Sequence, residues 1–203
     1  AFALVGPALL VDPTDATNAI QSAINSRATT ILIPNMGQDW VVRPLFLASN
    51  KEIIFEEGVV LSAKPGAFRG LYDSLLTGDR VSYVTLRGPN AVLRMRKADY
   101  TGNDYSDSEW RHVLRLKGVK NVLVTGLSFQ SSGGDGIYIG PSEDSHRLPS
   151  RNVTIRDCDC YNNYRQGMSV LSAENLLVDN CTFRNTIGTA PQAAVDLEPV
   201  DWA

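Results

Sequence analysis

Cysteine is scarce in this chain: Cys158, Cys160 and Cys181 are its three, and no two stand at C-x-x-C spacing. An odd number at such spacing excludes a disulfide framework and a zinc ribbon. Charge of one sign is lacking as well. With 19 Lys and Arg against 22 Asp and Glu, the net charge of -3 supplies no basic field, so neither nucleic acid nor an anionic membrane is expected as a partner. No apolar run approaches the roughly 20 residues that span a bilayer. The apolar stretch 1–11 has no basic segment ahead of it, and the chain opens on Ala1 rather than Met, which predicts a trimmed or processed start. Helical periodicity is nearly absent. It is convincing only over residues 14–26, where Ala16, Ala19, Ile20, Ala23 and Ile24 form an apolar stripe behind a Thr14/Asp15 cap.

What is present is a repeat. The composition, 43% hydrophobic and 20% charged over 203 residues, is that of an ordinary globular chain and predicts one domain over 1–203. Within it NVLVTGLSF, NVTIRDCDC and NLLVDNCTF, beginning at Asn121, Asn152 and Asn175, superpose as alternating strands. Val122, Val153 and Leu176 share one inward column, followed by Val124, Ile155 and Val178. Leu127, Cys158 and Cys181 come next, then Phe129, Cys160 and Phe183, so the cysteines read as core filler. A second short strand also recurs, as GIYIG, GMSVL and AVDLE, and HVLRLKGVKN fits the same register one turn earlier. SYVTLRG, KEIIFEEGVVL, TTILIPN and DWVVRPLFL read as looser strands of earlier turns.

Units of this size, with short strands and no helices between them, cannot bury an apolar face alone and must stack. The predicted fold is therefore all-β, a right-handed parallel β-helix whose 14–26 helix caps the N-terminal end. Helices between parallel strands are excluded because no helical period of adequate length lies between Lys117 and Trp202. A β-sandwich would tolerate the strand spacing but gives no reason for column-by-column identity. The recurring Asn121, Asn152 and Asn175 are read as a turn ladder, and Arg156 and Asp179 as a cross-coil charge pair. The chain stops just after AVDLE, which predicts further coils beyond Ala203.

The combination of DATNAIQSAI, VVRPLFLASNKEIIFEEGVVL and the NVxIxxC coils resembles the right-handed parallel β-helix proteins of the pectate-lyase-like superfamily, and nearly the whole chain takes part. GGDGIYIG, YRQGMSVLSAENLLVDNC and GTAPQAAVDLEP are similar to segments of bacterial secreted β-helix proteins. The resemblance implies a secreted or periplasmic monomer acting on polysaccharide. The superfamily holds lyases, hydrolases, epimerases and noncatalytic phage or surface proteins. The paired aspartates, Gly-His-Gly and Arg-Ile-Lys of polygalacturonases are missing, since GGDG supplies the single acid Asp135, and the Asp-Pro-His-Glu of mannuronan epimerases is missing too.

Column alignment puts Arg115, Tyr138, Ser169 and Asp196 in one outward file, with Lys117, Gly140, Leu171 and Glu198 beside it. On its other side lie His112, Asp135, Gln166 and Ala193, then Arg111, Gly134, Arg165 and Gln192. The expected chemistry is β-elimination on a uronate polymer. Arg115 or Arg165 would clamp the carboxylate, and Tyr138, Lys117 or His112 would exchange the proton, a Lys or Tyr flanked by cations having its pKa pushed down. Arg111, Trp110, Tyr105 and Asp135 are expected to contact substrate. The 97–110 loop would wall a sugar groove with Tyr100, Tyr105 and Trp110. Asp135, Asp196 and Glu198 are candidate ligands for a calcium ion. Two alternatives stay open: a noncatalytic glycan-binding or scaffold β-helix, and a glycoside hydrolase dependent on Asp135, Asp196 or Glu198.

Overall fold

The computed structural model describes residues 2–4 and 12–199, so most of the 1–11 segment and the end of the chain lie outside the described residues. The chain runs through β1 (Phe2–Leu4), α1 (Thr17–Asn25), β2 (Thr30–Ile33), β3 (Trp40–Val42), β4 (Leu45–Phe46), β5 (Lys51–Phe55), β6 (Val60–Ala63), β7 (Leu76–Asp79), β8 (Ser82–Arg94), α2 (Lys97–Tyr100), β9 (Leu114–Lys117), β10 (Lys120–Gln130), β11 (Ile137–Gly140), β12 (Ser150–Arg156), β13 (Asp159–Tyr161), β14 (Met168–Val170), β15 (Ala173–Asp179), β16 (Thr182–Arg184) and β17 (Val195–Leu197). Every strand pairing is parallel.

The strands wind into a right-handed parallel β-helix. One face is a six-stranded sheet in the order β17-β14-β11-β9-β7-β4. The other faces belong to one 11-stranded sheet because β8 and β10 run through the corner between them. β10 turns that corner at Gly126, where the register with β8 shifts and φ is +76°. The predicted columns are in register: Val122 pairs Val153 and Val153 pairs Leu176, while Phe129 pairs Cys160 and Cys160 pairs Phe183. Leu114, Leu116, Ile137, Ile139, Val124, Ile155 and Phe129 are fully buried in the bore. Each contributes about 1.5–3 kcal/mol by leaving water. In the last coil the same columns open to solvent, Val195 at 40% and Leu197 at 69% exposure.

The Asn ladder forms as expected, Asn152 Nδ2 donating to Asn121 Oδ1 at 2.9 Å and Asn175 Nδ2 to Asn152 Oδ1 at 3.1 Å. All three residues hold a left-handed φ of 53–58°, which Asn tolerates better than other side chains. Arg156 and Asp179 pair at 2.9 Å.

The capping helix is shorter than predicted, beginning at Thr17, and Thr14 is not its cap. Asp15 instead accepts the Thr17 amide at 3.2 Å and its hydroxyl at 2.5 Å, and it pairs with Arg43 and Lys64. Ala16, Ile20 and Ile24 are buried beneath α1. Gln21 makes the cap effective: its Nε2 donates to Phe46 O at 2.9 Å and its Oε1 accepts from Phe46 N at 2.8 Å. That side chain satisfies the open backbone edge of β4 as a neighbouring strand would. Three elements were not anticipated, the strands β1 and β7 and the one-turn helix α2 inside the 97–110 segment.

Candidate functional site

The outer face of the six-stranded sheet carries the polar cluster. Arg115 pairs in register with Tyr138, Tyr138 with Ser169 and Ser169 with Asp196, while Lys117 pairs with Gly140. Parallel in-register strands at about 4.8 Å bring these side chains side by side. Asp135 and His112 sit just before β11 and β9, and Arg165 and Gln166 just before β14.

The centre is Asp135, whose side chain is fully buried. Its Oδ2 accepts from Ser169 Oγ at 2.7 Å and lies 3.3 Å from His112 Nδ1 and 3.7 Å from Arg165 Nη1. Its Oδ1 is buried and makes no hydrogen bond. Burial pushes the Asp135 pKa up to about 7; Ser169 and Arg165 oppose the rise, and Glu198 and Glu109 add to it. His112 and Asp135 do not form an ion pair. Burial, with Arg115 and Arg165 nearby, drives the His112 pKa well below its ordinary value, and its Nδ1 accepts the Asp135 backbone amide at 3.0 Å. The ring is therefore neutral with its proton on Nε2, and the Nδ1 lone pair facing Oδ2 disfavours an ionised Asp135.

Arg165 joins the carboxylates. It pairs with Glu198 at 2.5 Å, approaches Asp135 at 3.7 Å and Glu109 at 3.8 Å, and Gln166 Nε2 donates to the same Glu198 oxygen at 3.0 Å. The His112 ring stacks on Tyr138, centres 4.9 Å apart. Tyr138 leans along its strand over residue 140. A Cβ there would stand 2.5 Å from the Tyr138 hydroxyl, so any other residue would have to displace the ring. Arg115 is held between the Tyr138 and Tyr72 rings, 5.6 and 5.3 Å from their centres, and Tyr72 stacks on Trp110 at 5.1 Å. Beyond β11, the 141–149 loop brings Glu143 onto Arg115 and onto Lys117 at 2.7 Å.

The structure thus brings together His112, Arg115, Lys117, Asp135, Tyr138, Arg165 and Glu198, with Trp110 at the rim. Several expectations need correction. Arg111 does not reach the outer face: it is fully buried and donates to the carbonyls of Phe68, Gly70, Arg69 and Ser106, tying two loops together. It precedes β9, and its backbone forms an isolated antiparallel bridge to Gly133, so strand alternation does not extend to it. Tyr105 is half-buried with its hydroxyl on Ala67 O at 2.7 Å, and Tyr100 belongs to the core. Of the three expected aromatic walls, Trp110 alone is exposed. Tyr138 has its pKa raised rather than lowered, because burial outweighs the effect of Arg115.

The calcium ligand set is not assembled. Among the described residues no group of three or more His, Cys, Asp or Glu side chains is arranged to hold a metal. Asp135 is engaged with Ser169, and a guanidinium occupies the space between it and Glu198 where a cation would have to sit. Tyr72, Glu109 and Glu143 were missed as site residues, and Ser169 was placed in the outward file but given no part in the site. The one available signal was that the SEDSHRLPS loop leaves the sheet at Gly140, in register with Lys117. A groove of about 380 Å³ lined by Glu109, Trp110, Tyr164 and Thr189 borders this cluster. A larger one of about 630 Å³, lined by Arg94, Arg96, Lys97 and Asn162, lies away from it.

Comparison with known proteins agrees with this architecture. The chain is 28% identical over 167 residues to the SPbeta prophage-derived uncharacterized protein YorA of Bacillus subtilis (strain 168), covering 75% of this chain and 27% of that protein. The chain therefore spans about a quarter of that relative's length. Among solved structures, an iota-carrageenase complexed to iota-carrageenan fragments superposes with a TM-score of 0.66 at 20% identity, covering 88% of this chain and 40% of the other. The polygalacturonase from Erwinia carotovora ssp. carotovora gives 0.57 at 14% identity, with 88% and 61% covered. The tailspike protein gp49 from Acinetobacter baumannii bacteriophage Fri1, a capsular polysaccharide depolymerase, gives 0.59 at 14% identity, with 100% and 36% covered. At these identities the likeness speaks for the fold alone. Residues 92–194 match the family described as "Right handed beta helix region", half of the chain, and the protein belongs to that family.

Proposed function

We propose that this protein cleaves the glycosidic bonds of a polysaccharide by acid-assisted hydrolysis on the outer face of its six-stranded sheet. The observation that carries the reading is the pair of carboxyl groups in unlike environments: Asp135, buried and holding its proton to about pH 7, and Glu198, ion-paired to Arg165. A buried carboxyl group that keeps its proton, with a second carboxyl group held on the same guanidinium, is the arrangement glycoside hydrolysis needs. Asp135 donates its proton to the glycosidic oxygen as the C1–O bond breaks. Glu198 takes a proton from the water whose oxygen adds to C1. Because Asp135 is buried, the bound polymer must move Arg165 aside. Carrageenase, polygalacturonase and capsular depolymerase neighbours favour a polysaccharide substrate, and such polymers are met outside the cytoplasm, in keeping with a secreted or periplasmic protein.

β-Elimination is the second reading, favoured by the carboxylate already seated on Arg115 and Lys117. Two of its expected bases are ill placed: Tyr138 is pushed toward its neutral form, and the acceptor nitrogen of His112 is taken by a backbone amide, while Lys117 is ion-paired to Glu143 and Asp79. The test is digestion of uronate-containing and sulfated galactan polymers, following reducing ends together with ultraviolet absorbance of an unsaturated uronate. Reducing ends without absorbance support hydrolysis and should vanish in Asp135→Asn. Absorbance that rises with them selects elimination, and neither signal on any polymer leaves the noncatalytic binding module.

A further inference from the structure

Arg115 and Lys117 are buried cations whose neutralisation depends on an exposed loop. Their side chains are 11% and 8% exposed, whereas Glu143, which pairs with both, is 56% exposed. Lys117 has a second carboxylate, Asp79, at 3.4 Å. Arg115 has Glu143 as its one acidic partner among the described residues, and its Nε is buried without a hydrogen bond. Desolvated cations are costly without an anion, so the pair requires an acceptor at that place, whether supplied by the chain or by a ligand. The loop that supplies it is held by contacts other than those of Glu143. Ser142 N donates to Leu148 O at 2.8 Å, Leu148 N to Ser142 Oγ at 2.8 Å, and Arg80 holds Asp144 at 3.1 Å. It can release Glu143 without unravelling β11 or β12.

We propose that Arg115 and Lys117 form an anion subsite for one acidic group of the polymer, and that Glu143 occupies it in the free protein as an internal placeholder which the polymer displaces. This rests on the reading of the sheet face as a polysaccharide site. The recognised chemistry is a planar carboxylate or a sulfate ester, set beside the Tyr72–Trp110 stack, against which a sugar ring can lie. The guanidinium lies near both rings and turns Nη2 to Glu143, so that nitrogen is the one the ligand's anionic group would take over.

The test is oligosaccharide binding by calorimetry in the Asp135→Asn background, which prevents turnover, using an oligogalacturonate, a sulfated galactan oligomer and a neutral galactan oligomer. Glu143→Gln and Glu143→Ala should each tighten binding of an anionic oligomer about tenfold, the gain expected if the placeholder holds the site in about 90% of molecules. Affinity for the neutral oligomer should not change. The anion that gains tells carboxylate from sulfate, and adding Arg115→Met should abolish the gain. Unchanged affinity for both anions in both variants overturns the proposal, as does equal tightening of the neutral oligomer, which would make the loop a steric cover. Failure of the wild-type protein to release product from any polymer would count against hydrolysis while leaving a tenfold gain, if seen, standing.

Discussion

Replacing Asp135 by Asn should stabilise the protein at alkaline pH while removing its activity. Asp135 holds a pKa of about 7 in the folded chain against an ordinary value of 3.8, chiefly because it is buried. Between those values the folded protein keeps a proton that the unfolded chain has released, so stability falls as pH rises across the window. About three units at 1.36 kcal/mol each amount to about 4 kcal/mol, fully lost above pH 7. Asn has the shape of the protonated acid and never ionises, so the variant escapes that loss. Its advantage over the wild type should be near zero below pH 4, about 1.5 kcal/mol at pH 5 and about 4 kcal/mol at pH 8. For a chain of this size the last figure corresponds to a Tm higher by about 8–16 °C. Urea denaturation of both proteins at pH 5 and pH 8 measures it, and the difference cancels the titrating groups that do not interact with Asp135. A gap that does not widen with pH, or a variant less stable at pH 8, would refute the protonated Asp135. Activity is a separate readout: the wild-type rate should fall as pH rises through about 7, and the variant should lose about 10²–10⁴-fold below pH 7, with the gap narrowing above it.

Other consequences are open to simpler measurements. Tyr83 sits in register with Asn121 and holds a φ of 57° with its ring exposed; Tyr83→Asn should raise stability by about 1 kcal/mol, seen as a higher urea midpoint. Gln21→Ala removes both hydrogen bonds to the Phe46 backbone and bares the edge of β4, so it should cost about 1–3 kcal/mol and increase light scattering at high concentration. Burial lifts the Cys158 thiol to about 12 and the Cys160 thiol well above its ordinary range. Neither should react with a thiol reagent at neutral pH until the chain is denatured, and fast labelling of Cys160 in the native protein would contradict its place in the bore.

The winding of the chain was legible because the solenoid writes the same columns into successive coils. Val122, Val153 and Leu176 occupy one position, and so do Phe129, Cys160 and Phe183, as their alternation indicated. That legibility ended where repetition ended. β7 carries LTGD, whose inward places hold Leu76 and Gly78, too weak an alternation to stand out. Arg111 was placed by extending a strand column through a turn, and the turn reverses the logic. At the site, columns identified neighbours correctly but not protonation. Tyr138 beside Arg115 suggests a lowered pKa from charge alone, whereas the covering rings and loop remove so much water that burial decides the sign. Tyr72 and Glu143 went unseen because they arrive from loops, which no column constrains.

The same geometry explains why the site is built from charges of both signs rather than from a basic cleft. In-register parallel strands set outward residues of one column about 4.8 Å apart, near enough for like charges to repel. A polymer site that needs cations must therefore alternate them with aromatic or acidic groups. The Arg115, Tyr138, Ser169, Asp196 file does so within the sheet, the Tyr138 ring taking the place a second cation would hold. The remaining positive charge is met from outside, by Glu143 for Arg115 and Lys117 and by Glu198 for Arg165. Those two glutamates differ in origin. Glu198 follows β17 and its backbone N–H bonds to Val170 O at 3.0 Å, so it is positioned by the scaffold, while Glu143 rides on a loop outside both sheets. A carboxylate fixed by the ladder suits a part in the chemistry, and one carried by a loop suits exchange with the anionic groups of a ligand.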